Sequence, residues 1–228
     1  MGALSDTAIH GDRPDGHALP DEIPLFPLPG ALLLPEGVLP LNVFEPRYLS
    51  MVDDALGRGR FIGMIQPLDG EETTTDAANH PALYPVGCLG RISTFSEASN
   101  GRYLITLSGV GRFRLVEETG ITRGYRRARV DFSPFAADRG QALDIGVDRA
   151  RLLDSLRRYM DSADLSGDWS AISKAGDSAL VTTLAMMCPF EVREKQALLE
   201  CPGMTERASL LIDLMDMAAM GAAGGPRH

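Results

Sequence analysis

The sequence has little lysine, little cysteine and no long apolar run. Lysine occurs only at Lys174 and Lys195 among 22 basic residues, and no GxxxxGK[ST] loop is present, which excludes a P-loop ATPase. The three cysteines form no CxxC pair, and an odd number argues against a disulfide framework. The longest apolar runs, such as residues 31–34, are far shorter than the roughly 18 residues of a membrane span. These absences predict a cytoplasmic protein without membrane contact.

Sequence signatures of catalysis and metal binding are also missing. A Gly-Val-Gly triplet at residues 109–111 resembles the start of a dinucleotide-binding loop. Its third glycine is absent and it leads into a strand pattern, so a turn or a β-bulge is predicted instead. The sequence has no GxSxG elbow, and neither His80 nor the three cysteines have metal-ligand spacing. We therefore expect a binding protein with no catalytic residue, no metal and no cofactor.

Charge is distributed unevenly along the chain. The net charge of −9 disfavours a general nucleic-acid binder, because phosphate repels an acidic surface. Residues 86–135 nevertheless carry eight arginines against four acidic residues. At strand spacing, Arg112 and Arg114 share one face, as do Arg127 and Arg129. We interpret these arginines as solvated strand faces, and a ligand patch is the alternative.

The first half of the chain has the periodicity of β-strands. Residues 1–21 are polar without periodicity and predict a disordered tail. Alternating prolines in residues 23–28 predict an edge strand or an extended start, because proline donates no hydrogen bond to a sheet. Asn-Gly at residues 100–101 predicts a hairpin turn. Further short strands are predicted at residues 31–34, 38–43, 61–66, 86–95, 102–107, 113–118 and 125–132.

Helical periodicity occurs once in this half and dominates after residue 134. Pro46 suits the first position of a helix, and apolar residues recur at helical spacing from Tyr48 to Leu56. Asp177 is predicted to cap a nearly all-apolar helix. The later helices are predicted at residues 143–160, 178–187, 191–200 and 205–220. The pattern predicts an α+β fold, with a small, mostly antiparallel barrel at 22–135, a helical bundle at 140–220 and a flexible C-terminus at 221–228.

Two segments carry a resemblance to a known family. The sequence IPLFPL at residues 23–28, followed by GVLPLNVFEPRY at residues 37–48, resembles the opening of the Lon protease N-terminal, substrate-recognition domain. The resemblance covers about residues 22–220 and implies a PUA-like β-barrel followed by a helical bundle. Further similar segments follow in the family's order at residues 61–63, 86–87, 109–113 and 194–200.

The resemblance implies that this protein binds protein or peptide. In full Lon proteases an ATPase module and a Ser–Lys protease module follow this domain, and the sequence to His228 contains neither. We therefore expect a stand-alone, non-enzymatic module that recognises exposed apolar segments or acts as an adaptor. The alternative is an RNA-binding module that uses the arginine-rich strands, since PUA-type barrels often bind RNA.

Candidate binding residues lie in the stretch that most resembles the family. The proline-rich strand and the first helix are expected to border an apolar groove that holds segments of unfolded protein. Barrel core is the competing interpretation for the apolar residues, and capping or pairing at the helix start is the competing one for the charged residues. The candidates are Phe26, Leu28, Leu41, Phe44, Glu45, Arg47 and Tyr48.

Overall fold

The computed structural model describes residues 19–68, 81–140 and 146–224. The predicted tail lies outside these ranges except at positions 19–21, and so do residues 225–228 of the predicted flexible C-terminus. The predicted limits of the barrel and helical units stay predictions. The strands are β1 (Glu22–Pro27), β2 (Val38–Val43), β3 (Phe61–Ile65), β4 (Val86–Glu97), β5 (Tyr103–Thr122) and β6 (Tyr125–Asp131). The helices are α1 (Pro46–Leu56), a 3-10 helix (Ser133–Arg139), α2 (Arg149–Ser162), α3 (Trp169–Lys174), α4 (Asp177–Met187), α5 (Val192–Glu200) and α6 (Met204–Gly224).

Five of the strands close into a barrel. The sheet order is β2-β5-β4-β3-β1-β6, and β6 pairs back onto β5, so the ring consists of β5, β4, β3, β1 and β6. The β1–β3 pair is parallel and the other pairs are antiparallel. β2 pairs with the first half of β5 and lies outside the ring. The structure thus confirms the predicted α+β class, with a mostly antiparallel barrel followed by helices.

β1 is a ring strand, so the prediction of an edge strand is wrong. Its first half, residues 22–24, pairs with β6, and its second half, residues 25–27, pairs with β3. Each half therefore has one partner in these pairings. This division explains how a strand with alternating prolines lies between two neighbours, because few of its residues must donate to the sheet.

Residues 31–34 form a buried extended connection instead of the predicted strand. The turn that follows binds to β5, since the Glu36 N–H donates to the Gly109 carbonyl (3.0 Å) and the Gly109 N–H donates to the Gly37 carbonyl (2.8 Å). A Cβ atom at position 109 would lie 1.9 Å from the Leu34 carbonyl oxygen. Glycine is therefore required where this connection crosses the strand.

β5 is one strand of 20 residues where two separate strands were predicted. Leu89 pairs with Gly111 and Gly90 pairs with Gly109, which leaves Val110 as an extra residue on β5. The β-bulge predicted for this triplet is thereby confirmed. A bulge bends a strand and increases its twist. The bend allows β5 to pair with β2 in its first half and with β6 in its second half.

Two apolar cores hold the barrel and the helices. The smaller core fills the ring around Phe113, which is fully buried, with β1 side chains such as Leu25. The larger core lies between the sheet and the helices and includes residues 32–34 and the buried faces of α1, α2, α4, α5 and α6. Within the described ranges, none of the helices combines the length and the apolar character needed to cross a membrane.

The helical half differs from the prediction in several places. The helix predicted at residues 143–160 begins only at Arg149, because Asp148 caps it, and residues 146–148 are not helical. The N-cap of α4 is Gly176, not Asp177, whose carboxylate instead pairs with Arg149. A short helix that was not predicted, α3, follows Asp168, which accepts hydrogen bonds from two backbone N–H groups at the helix start. α6 continues to Gly224, beyond the predicted end at residue 220.

Arg112 joins the barrel to the helices through a buried ion pair. Its Nε and Nη2 donate to the two carboxylate oxygens of Asp138 (2.8 and 2.6 Å). Its Nη1 donates to the carbonyls of Leu199 (3.1 Å) and Cys201 (2.6 Å) at the end of α5. The prediction of a solvated face is wrong here, because the 3-10 helix and α5 cover the side chain. Arg114, on the same strand face, is exposed.

Candidate functional site

Two of the predicted binding residues belong to the core. Phe26 of β1 and Tyr48 of α1 are both buried, and their ring centroids lie 4.2 Å apart. Tyr48 is the first residue of the apolar stripe on α1, which continues with Met51 and Val52. The contact between these two rings therefore holds α1 against the barrel.

Glu45 and Arg47 form an ion pair at the start of α1. Arg47 Nη2 lies 2.6 Å from Glu45 Oε2, and the Arg47 guanidinium lies 4.6 Å above the ring of Tyr48. Glu45 occupies the N-cap position, but its side chain makes no capping hydrogen bond. Leu28 and Leu41 are half-buried and pack against the larger core.

Phe44 is the large apolar candidate that lies mostly at the surface. It follows β2 directly, it is 59% exposed, and the Arg102 guanidinium lies 5.3 Å from its ring centroid. The seven candidates therefore divide into a core contact, two half-buried leucines, an ion pair and one exposed ring. The structure does not bring them together as a single apolar groove.

An open apolar groove of about 410 Å³ lies instead between the start of β2 and α4. Val38 is 62% exposed and Met187 is 76% exposed at this site. We call it the β2–α4 groove. It is lined by Glu36, Gly37, Val38, Ser178, Ala179, Thr182, Thr183, Met186 and Met187.

The β2–α4 groove follows from the composition of α4. The buried side of this helix packs Leu180, Val181 and Ala185 into the larger core. Its other side carries Ser178, Ala179 and Thr183 and ends in two methionines, so the apolar surface that α4 gives to the groove comes mainly from its last turn. Methionine is flexible and polarisable, and it suits surfaces that accept differently shaped partners. The sequence signal was an almost entirely apolar helix, and that signal alone does not distinguish a core helix from a binding face.

A second, more polar pocket of about 250 Å³ adjoins this groove. Glu36 and Ser178 line both spaces, so the two lie next to each other on the surface. We call it the Arg207 pocket, after a buried arginine in the first turns of α6. Its remaining lining residues are Pro35, Arg112, Ala137, Asp138, Gly140, Pro202, Gly203, Met204 and Arg207.

The buried lysine next to the groove is a structural residue. Lys195 Nζ donates to the carbonyls of Gly30 (2.7 Å) and Met186 (3.4 Å), and burial lowers the pKa of its ammonium group. The neighbouring Gln196 donates from Nε2 to the Val86 carbonyl of β4 (3.1 Å). These two residues therefore attach α5 to the barrel and fix the end of α4.

The cysteines are unsuited to nucleophilic chemistry. Burial raises the pKa of Cys88 to about 12 and that of Cys188 to about 11. It also raises the pKa of Cys201. A protonated thiol is a poor nucleophile and a poor metal ligand. Among the described residues, no group of three His, Cys, Asp or Glu side chains is arranged to hold a metal ion.

Comparison with known proteins decides the family. The model of the ATP-dependent protease La (LON) substrate-binding domain matches residues 22–217 of this chain. The chain belongs to the family of Lon substrate-binding domains. The resemblance inferred from residues 23–28 and 37–48 is thereby confirmed.

Relatives of known sequence and structure agree with this assignment. The chain is similar to Lon protease 2 of Myxococcus xanthus, at 26% identity over 87% of this chain and 24% of that protein. For Lon protease 2 of Sorangium cellulosum the identity is 28%, over 86% of this chain and 24% of that protein. The chain thus spans about a quarter of the length of these curated Lon relatives, and the match is to their substrate-binding part.

Two solved structures share the fold. A Lon N-terminal domain protein from Xanthomonas campestris superposes with a TM-score of 0.58 at 23% identity, over 84% of this chain and 97% of that one. The N-terminal domain of the Mycobacterium avium complex Lon protease gives 0.57 at 16% identity, over 85% and 97%. These likenesses confirm the predicted fold of the Lon N-terminal domain.

Proposed function

We propose that the chain binds apolar segments of protein substrates in the β2–α4 groove. The observation that carries this proposal is the exposed apolar lining of that groove, above all Val38 and Met187. A contiguous apolar concavity on a protein surface is typical of an interaction site. Membership of the Lon substrate-binding family supports a protein as the bound partner.

The shape of the site favours an extended segment. β2 is six residues long, so about 20 Å separate Val38 at its start from Phe44 just beyond its end. In the described part of the chain β2 pairs with β5 alone, which leaves its outer edge facing away from the sheet. Phe44 continues the exposed face of the strand that begins at Val38 and extends the proposed surface beyond the groove, whereas Leu41 faces the core. An extended peptide along this edge would place apolar side chains at both ends of β2.

The proposal includes the absence of catalysis. The described cysteines are buried thiols with raised pKa values, and the matched part of the Lon relatives is a substrate-binding domain. We therefore propose a non-enzymatic module that delivers or holds substrates as an adaptor does. We propose a cytoplasmic location on the basis of the three free, buried thiols.

The RNA-binding alternative has less support. Several arginines of the strands at residues 86–135 form ion pairs with carboxylates on the same sheet, for example Arg126 with Glu118 (2.5 Å) and Arg127 with Glu22 (2.7 Å). Arg112 is buried in its pair with Asp138 and is not presented to a ligand at the barrel surface. Such pairs neutralise much of the positive charge that phosphate groups would need.

Fluorescence anisotropy of a labelled apolar peptide tests the proposal. Met187→Asp and Val38→Asp introduce a charge into the groove and are expected to weaken binding at least about tenfold. Met220→Asp, at an exposed α6 position that does not line the groove, is the matched control and should bind like the unaltered chain.

Two results would contradict the proposal. Peptide binding that is unaffected by both groove variants would place the site elsewhere. Binding of single-stranded RNA instead of peptide would favour the alternative, provided that the log–log salt slope is near −0.7 per phosphate contacted.

A further inference from the structure

Arg207 is a buried cation whose outer nitrogens have no protein acceptor in the described part of the chain. The side chain is 5% exposed, and its Nε donates to the Leu198 carbonyl of α5 (2.9 Å). Nη1 and Nη2 carry the other four N–H groups of the guanidinium. Arg207 lines the Arg207 pocket, so a ligand in this pocket would meet a buried, charged donor.

The two buried arginines that line this pocket, Arg112 and Arg207, share one largely buried carboxylate, that of Asp138. The carboxylate of Asp138 is held on both oxygens by Arg112. Burial first, and the positive charge of Arg112 second, lower the pKa of Arg207, and the negative charge of Asp138 opposes this shift without a hydrogen bond to Arg207 in the described part of the chain. Arginine nevertheless remains protonated at neutral pH. Glu36 is exposed at the border with the groove. A buried guanidinium without its own anion is costly, and a carboxylate that matches its planar fork would offset that cost.

The position of the pocket indicates which anion it receives. It adjoins the β2–α4 groove, with Glu36 and Ser178 lining both. A chain that lies in the groove and ends in the pocket would bring its terminal carboxylate to Arg207. We propose that the Arg207 pocket binds the free C-terminal carboxylate of a substrate whose last residues are apolar. This inference rests on the proposed function of the groove, and it specifies the substrate class.

The direct test compares two forms of one peptide on the unaltered chain. A fluorescein-labelled peptide with an apolar C-terminus is prepared as the free acid and as the C-terminal amide, and both are titrated by anisotropy. We expect the free acid to bind about tenfold to a hundredfold more tightly, which is the range for a hydrogen bond to a charged group. Arg207→Gln should abolish this preference. Arg114→Gln, at an exposed β5 arginine, should retain it.

The possible results separate the two proposals. Equal binding of acid and amide would overturn the carboxylate inference and leave the groove proposal intact, provided that Met187→Asp still weakens both. Binding of neither form would overturn the groove proposal and the inference together. Because Arg207 also holds Leu198, the melting temperature of Arg207→Gln is measured alongside. The acid-to-amide ratio of the unaltered chain decides the question if that variant does not fold.

Discussion

Single residues fix the contacts on which both cavities depend. Gly109 allows the Leu34 carbonyl to lie against β5, and the turn after Leu34 supplies Glu36, Gly37 and Val38 to the groove. In the Arg207 pocket, Asp138 has a comparable role, because it accepts hydrogen bonds from Arg112 and so orients a second lining residue. Changes at these positions should therefore affect stability before they affect binding.

Gly109→Ala is expected to destabilise the fold by about 3 kcal/mol or more, because its Cβ would lie 1.9 Å from a backbone oxygen that cannot move freely. Urea denaturation measures the change. Gly221→Ala is the matched control, since position 221 is an exposed position of α6 and no heavy atom lies within 4 Å of the added Cβ. The control should be neutral or stabilising by up to about 1 kcal/mol. Equal stability of the two variants would refute the close approach.

Asp138→Asn is expected to cost about 3–5 kcal/mol of unfolding free energy, because it leaves the buried Arg112 charge without its anion. The exposed pair of Arg129 and Glu117 provides the control. Glu117→Gln should change the free energy by about 1 kcal/mol or less, since exposed ion pairs contribute little. A small effect at both sites in chemical denaturation would show that Arg112 is not held as described.

At the scale of elements, an acidic group of α6 connects that helix to α2. Asp216 accepts hydrogen bonds from Ser155 Oγ and from Arg158 Nη2 (2.8 Å). The hydrogen bond from Ser155 is the main cause that lowers the pKa of Asp216. Burial opposes this shift, and the hydrogen bond and positive charge of Arg158 lower the pKa further. A carboxyl group whose folded pKa is lowered stabilises the folded state when ionised.

The stabilisation by Asp216 should therefore be complete above the unfolded pKa of about 3.9 and should disappear as the pH falls through the lower folded value. Asp216→Asn removes the titration. Urea midpoints of both proteins, measured from pH 7 down to about pH 2.5, should differ at neutral pH and converge in acid. A difference that stays constant across this range would contradict the assignment.

The elements themselves were largely predictable from sequence, whereas their pairings were less so. The apolar stripe of α1 and the β-bulge at Val110 follow from local spacing and turn chemistry. The internal place of β1 and the absence of a strand at residues 31–34 depend on pairing partners far away in sequence. Local patterns do not encode those partners, and apolar runs of this length fit a strand and a buried connection equally well.

The candidate site was the least predictable feature. The groove joins residues 36–38 to residues of α4 more than a hundred positions later, and no single segment contains it. Family resemblance directed attention to residues 23–28 and 37–48, where most apolar side chains serve the core. Burial separated Phe26 and Tyr48 from Phe44, and burial is a property of the folded chain.

At the scale of the whole molecule, the barrel and the helices are joined by a polar network. Gln66 Nε2 donates to the Gln196 side-chain oxygen (3.2 Å) and to the Val192 carbonyl (3.2 Å), and Lys195 donates to Gly30. The groove lies between β2 and α4, so its shape depends on this attachment. The account therefore predicts a binding site that exists only in the assembled fold.

Hydrogen exchange measured by mass spectrometry on the full chain, with and without a saturating apolar peptide that has a free C-terminus, tests this claim most directly. We predict slower exchange at residues 36–38 and 178–187, where peptide would cover both walls of the groove. The hairpin between β5 and β6, at residues 116–126, should exchange at the same rate in both samples and serves as the internal reference. Protection confined to that hairpin, or protection nowhere, would contradict the account.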